Sequence, residues 1–178
     1  MAEQLAGFGN LANAGYAPVV DRDEMLRVLK SLENEAVEYV LIGAAAMGVH
    51  GVIRATEDLD IFIRAIPENI ELLRRALRAA YGNDPSIDEI STEDLLGEYP
   101  AVRYYPPTGD LYLDILTRLG TAASFETVEA ETKTVAGVRI RVATPRGLYL
   151  LKKDTIRPLD QQDAAMLRQA FNLEIDGP

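Results

Sequence analysis

The sequence predicts an α+β chain of mixed α/β order, a small mixed β-sheet flanked by helices and followed by a short helical C-terminal part. Three observations predict it. In the first half, short apolar runs bounded by turn residues alternate with stretches of helical period. In the second half, two pairs of short strand-like runs are each joined by turn-forming residues, and two proline-led helical patterns close the chain.

Residues 1–20 carry Gly7, Gly9, Asn10, Asn13, Gly15 and Pro18 without a clear period and read as a flexible N-terminal arm. From Asp21, the spacing of Met25, Leu26, Leu29 and Leu32 predicts an amphipathic helix behind acidic residues suited to a helix N-terminus. Tyr39-Val40-Leu41-Ile42 is a short strand closed by Gly43, and residues 44–50 form a small-residue helix ending at Gly51. Residues 59–64 make a second strand. Pro67 opens a helix over 68–81, with Ile70, Leu73, Leu77 and Ala80 as its buried stripe and Gly82 as its end. Residues 83–100 are acidic and less regular, with Ser91 to Asp94 capping a short helix. Residues 102–105 and 111–116 are neighbouring strands of a hairpin, and residues 132–135 and 138–142 form another around Ala136-Gly137. Helices follow from Pro145 to about residue 155 and over 159–171. Residues 21–143 therefore read as the core and residues 144–178 as a helical extension packed on it.

Hydrophobic residues make up 48% of the chain and charged residues 26%, which suits a folded domain rather than a disordered one. No apolar run reaches the ~18 to 20 residues of a membrane span, and the N-terminus lacks the order of a signal peptide. A cytoplasmic protein without membrane contact is expected. With no cysteine and the single His50, thiolate and histidine-rich metal sites are excluded, so a metal here would be held by carboxylates, which favours Mg2+ or Mn2+. The net charge of -10 disfavours broad duplex DNA binding. Arg139, Arg141, Arg146, Lys152, Lys153 and Arg157 nevertheless form a basic C-terminal group, either a local site for triphosphate or RNA backbone or an ordinary solvated face.

The chemistry is carried by Asp58-Leu59-Asp60. In an extended strand these two carboxylates project to one side, about 7 Å apart at Cα, while Leu59 and Ile61 point to the other. Two carboxylates can meet one metal site and orient a triphosphate there. Alone the pair is weak evidence, because solvated carboxylates at strand edges are common. Asp114 adds to it. In Leu111-Tyr112-Leu113-Asp114-Ile115-Leu116 it stands opposite Leu113 and Ile115, where a carboxylate should be paired or metal-bound; the plainer alternative is a solvent-facing Tyr112, Asp114, Leu116 set.

Leu41-Ile42-Gly43-Ala44-Ala45-Ala46 followed by His50-Gly51-Val52-Ile53-Arg54-Ala55-Thr56-Glu57-Asp58-Leu59-Asp60 resembles the signature of the nucleotidyltransferase superfamily, whose fold is polymerase-β-like. It is most similar to a small bacterial branch related to abortive-infection type IV toxin-antitoxin nucleotidyltransferases. Thr144-Pro145, Leu148 to Lys152 and Arg157 to Asp163 resemble the helical C-terminal part of that branch, and the likeness covers residues 37–167. The resemblance implies that Gly43 and Ala44 approach the triphosphate through backbone N–H groups, and that Asp58, Asp60 and Asp114 hold the metal. It also implies that Asp114 helps deprotonate the acceptor hydroxyl, and that Lys152 neutralises phosphate charge near Asp160 and Asp163. The acceptor would be an RNA end such as tRNA, a protein or a small molecule, and the partner a cognate small regulator. Ala44 departs from the family, which has Gly or Ser there.

Several residues carry a second reading. Arg54 and Thr56 either touch phosphate or serve as a charge-paired arginine and an organiser of the strand start. Lys152 either neutralises phosphate or bridges the last helices through Asp160 or Asp163. His50 reads as a helix-end residue rather than a general base, and Tyr104, Tyr105, Tyr112 and Tyr149 as packing rather than a stacking platform for a base. Among other enzyme classes, an Asp-X-Asp glycosyltransferase would not require Asp114, and a haloacid-dehalogenase-type phosphatase would not have Arg54 to Glu57 before its carboxylates. A partner-binding module that keeps the fold without turnover is the non-enzyme alternative, with Ala44 and the acidic surface in its favour.

Overall fold

The computed structural model describes residues 21–98, 100–119 and 123–173, so the predicted N-terminal arm lies outside the described residues. In chain order the elements are α1 (Arg22–Asn34), β1 (Tyr39–Leu41), α2 (Gly43–Val49), β2 (Asp58–Ile63), α3 (Pro67–Tyr81), a 3-10 turn (Pro85–Glu89), α4 (Thr92–Leu96), β3 (Ala101–Tyr104) and β4 (Tyr112–Leu116). They continue with β5 (Arg118–Leu119), β6 (Ala123–Ser124), β7 (Ala130–Val135), β8 (Val138–Ala143), α5 (Pro145–Lys152) and α6 (Pro158–Phe171). The 3-10 turn and the β5–β6 ribbon fall in stretches without a strong period. The helix from Pro145 stops at Lys152, short of the expected 155, where the chain turns toward Pro158.

Six strands form one mixed sheet in the order β3-β4-β2-β1-β8-β7. Parallel pairs (β4 with β2, β1 with β8) alternate with antiparallel ones, and both expected hairpins form. β1 and β2 are antiparallel, so the short α2 and the following loop return the chain beside the strand it has just left. Local chemistry fits these elements. Asp21 accepts from the Asp23 amide at 3.0 Å to start α1, Thr144 accepts from the Gly147 amide to start α5, and proline occupies the first turn of α3, α5 and α6.

The core takes Leu59, Ile61 and Ile63 of β2, Leu113 and Ile115 of β4, and Ile70, Leu73 and Leu77 of α3. α1 packs on α3 and on β8, while α5 packs on α6, α2 and β8. Alternation in β2 and β4 sends the intervening residues to the opposite face. There Asp58 and Asp60 stand beside Tyr112 and Asp114, with Phe62 and Leu116 continuing the row.

The β7–β8 turn holds one local strain. Ala136 (φ 49) and Gly137 (φ 81) are both left-handed, as a two-residue hairpin turn of this hand requires, yet alanine adopts that region at a cost of about 1 kcal/mol. Ala136→Asn is therefore expected to raise the melting temperature by about 2–4 °C, measurable by calorimetry.

Candidate active site

The site is assembled by strand register. Parallel pairing of β2 with β4 sets Asp60 directly beside Asp114 and Asp58 beside Tyr112. One oxygen from each of Asp58, Asp60 and Asp114 then lies within 4.8 Å of the others, and all three residues are half-buried. Three hard oxygen donors at this spacing suit a divalent magnesium or manganese ion, and no soft donor accompanies them. Crowding has a measurable consequence. Burial, reinforced by the charges of Asp58 and Asp114, pushes the Asp60 carboxyl up to about 7 against the opposing charges of Lys152 and Arg54. Lys152 and Arg54 offset this crowding only in part, and a cation at the triad would supply the rest of the countercharge.

Gly43 touches the triad directly. Its φ is +68, and a Cβ built there would sit 1.9 Å from Oδ2 of Asp60. The antiparallel β1–β2 register causes this approach, since the Ile42 amide donates to the Asp60 carbonyl at 2.9 Å, one residue earlier. Glycine is thus required at 43 by both conformation and space. Ala44, by contrast, is 2% exposed and turned into the protein in the first turn of α2.

The C-terminal helices bring cations to the same region. Lys152, at the end of α5, contacts Asp160 and Asp163 at 2.9 Å each. Asp163 is 0% exposed and also receives Nε of Arg54 at 2.9 and 3.1 Å. One buried carboxylate therefore holds two cations, and both of them act electrostatically on Asp60. For Asp160, burial acts to raise the carboxyl, but the hydrogen bond and charge of Lys152, with the hydrogen bond of Thr155, hold it below the usual range. Arg54 also donates to the Ala55 carbonyl at 2.8 Å, while the Thr56 hydroxyl donates to Asp58. These contacts are those of a paired arginine and a threonine that organises the start of the strand.

The remaining candidates separate. The His50 side chain is buried, with Nε2 donating to the Ala143 carbonyl at 2.8 Å and burial holding its pKa low, so it packs as a neutral ring. The basic C-terminal group is divided among ion pairs: Arg139 meets Glu33, Arg146 meets Glu129, and Lys153 meets Asp154. A separate open groove lined by Glu129, Ala130, Thr144, Arg146 and Phe171 contains none of the triad. Sequence reasoning missed Arg103, which lies opposite Asp114 in the β3–β4 pair and grips its carboxylate through two hydrogen bonds. Its signal was available in the hairpin, but the register across Tyr105 to Leu111 could not be counted without the turn geometry.

Among the described residues, no helix is long and apolar enough to cross a membrane. No family model matches the chain, and no curated sequence is significantly similar to it. Solved structures do match. The lincosamide antibiotic adenylyltransferase LnuA, in its lincomycin-bound crystal structure, superposes with a TM-score of 0.55 at 17% identity, covering 85% of this chain and 98% of LnuA. An antigenic nucleotidyltransferase-like protein from Paracoccidioides brasiliensis gives a TM-score of 0.50 at 18% identity, covering 86% of this chain and 79% of that protein. With its mixed sheet, its flanking helices and these neighbours, the chain has the nucleotidyltransferase fold.

Proposed function

We propose that this protein is a metal-dependent nucleotidyltransferase that moves a nucleoside monophosphate from a nucleoside triphosphate to a hydroxyl of a small molecule. The observation that carries the reading is the convergence of Asp58, Asp60 and Asp114 from two paired strands, with Gly43 pressed against Asp60. Mg2+ or Mn2+ bound by the three carboxylates would neutralise triphosphate charge and activate the acceptor hydroxyl. Gly43, having no side chain, leaves its backbone open to the phosphates beside Asp60. Lys152, paired with Asp160 and Asp163, and Arg54, paired with Asp163, form a charge-balanced cluster whose two cations lie close enough to act on Asp60 and would face the phosphates from that side. Asp114 takes the acceptor proton, the acceptor oxygen bonds to the α-phosphorus, and the bond to the β-phosphate oxygen breaks to release pyrophosphate. A small-molecule acceptor is favoured by the likeness to LnuA, an antibiotic adenylyltransferase, and by the net charge of -10, which opposes docking of a long RNA.

The test is label transfer. Purified protein is incubated with Mg2+ or Mn2+, each α-phosphate-labelled nucleoside triphosphate, and either pooled hydroxylated small molecules or total RNA, alongside Asp58→Ala and Asp60→Ala. Transfer to a small molecule that disappears in both variants is the expected result. Transfer surviving both substitutions sinks the metal-site assignment, transfer only to RNA overturns the acceptor class, and failure to bind any triphosphate favours a partner-binding module.

A further inference from the structure

Asp114 already holds a cation. The β3–β4 register sets Arg103 directly across from it, and Nε and Nη2 donate to Oδ1 and Oδ2 at 2.6 and 2.7 Å. This is the two-pronged geometry in which a guanidinium binds a carboxylate most firmly. Both oxygens of one triad member are therefore engaged. The arginine is also supported from the side: its guanidinium carbon lies 4.7 Å from the centre of the Tyr112 ring, which in turn packs 5.4 Å from Tyr105 at the exposed edge of the sheet. The other two carboxylates are treated differently, since Asp58 takes the hydroxyl of Thr56 and no arginine fork of this kind is directed at Asp60, whose nearby cations, Lys152 and Arg54, are paired with Asp163 instead.

A divalent ion drawn to this triad has to share or displace the guanidinium, because its ligand would come from the same two oxygens. The exchange is geometrically open. Arg103 is 49% exposed on the last strand of the sheet, so its long side chain can swing outward without disturbing the core. We propose that Arg103 is a resident counter-ion of Asp114, holding the crowded triad together without metal, yielding at least one oxygen when a divalent ion binds, and so setting metal affinity. The inference rests on the metal-site reading above. It differs in sign from the alternative that Arg103 orients Asp114 for the metal. Removing an orienting partner weakens metal binding about 10- to 100-fold, whereas removing a competitor tightens it.

The experiment is titration of the full chain with Mn2+, following free Mn2+ by electron paramagnetic resonance, for the wild type, R103Q, R103K and D60N. Because the pair is partly exposed, R103Q is expected to bind Mn2+ about tenfold more tightly than the wild type. R103K keeps the charge but loses the planar fork, so an affinity between the two, about threefold tighter than wild type, is expected. It also keeps the test open if R103Q folds poorly. Unchanged or weaker binding in both arginine variants, with Mn2+ bound by the wild type and lost in D60N, overturns the counter-ion role while leaving the metal site standing. A wild type that binds no Mn2+, or D60N that binds it as well as the wild type, overturns the metal-site reading and this inference with it.

Discussion

Asp60→Asn is expected to abolish nucleotidyl transfer while making the metal-free protein harder to unfold. The Asp60 carboxyl is held at about 7 in the folded chain, against 3.8 ordinarily, by burial first and by its acidic neighbours second. Its folded pKa is raised, so the unfolded chain loses this proton at lower pH than the folded chain. Stability is therefore full below pH 3.8 and declines as pH rises toward 7, beyond which the penalty is constant. A shift of this size corresponds to a cost on the order of 4 kcal/mol around neutral pH and above, and an uncharged amide of the same shape removes much of it. Thermal unfolding with chelator at pH 8 should show the variant melting roughly 5–10 °C above the wild type, with the gap closing below pH 4. Added Mn2+ should then raise the wild type alone. A variant that melts lower than the wild type at pH 8 would show that the carboxylate is not strained by its surroundings.

Gly43→Ala should produce the opposite combination, lost activity and lost stability. The added Cβ would lie 1.9 Å from Oδ2 and 2.7 Å from Cγ of Asp60, so either the carboxylate or the β1–α2 turn must move. Alanine would also have to accept φ +68, which costs about 1 kcal/mol before any steric displacement. Displacing a reactive group by about 1 Å can cost ~100-fold in rate, and a loss of at least that order in kcat/KM is expected. Mn2+ titration should show weakened binding in parallel. Near-normal turnover in this variant would mean that the Gly43–Asp60 contact has no part in the reaction.

The sequence carried the strands and helices well where one periodicity dominated. Leu26 to Leu32, Ile70 to Ala80 and the run Leu59 to Ile63 each named their element because burial imposes a single spacing on a helix or a strand. It also carried the triad, since Asp58, Asp60 and Asp114 interrupt strands that are otherwise apolar. What it lacked was pairing. Nothing local to Tyr39 or Leu59 says that β1 and β2 run antiparallel, and that arrangement is what presses Gly43 onto Asp60. Ala44 invited attention as the departure from the family pattern, yet the close approach falls one residue earlier. Arg103 stayed hidden for the same reason, being an ordinary charged residue on a strand until the register sets it across from Asp114.

The β2–β4 pairing also bears on how the protein reaches its working state. Asp60 and Asp114 meet only after the chain has completed α3, α4 and β3 and returned, so their encounter is among the long-range contacts that slow folding. A nascent or partly unfolded chain can form α1 or α3 locally, but it cannot present two adjacent acidic strands to a cation. On the proposed metal-site reading, divalent-ion binding would be a late event in folding, and recovery of Mn2+ affinity after dilution from denaturant should lag behind recovery of helical signal.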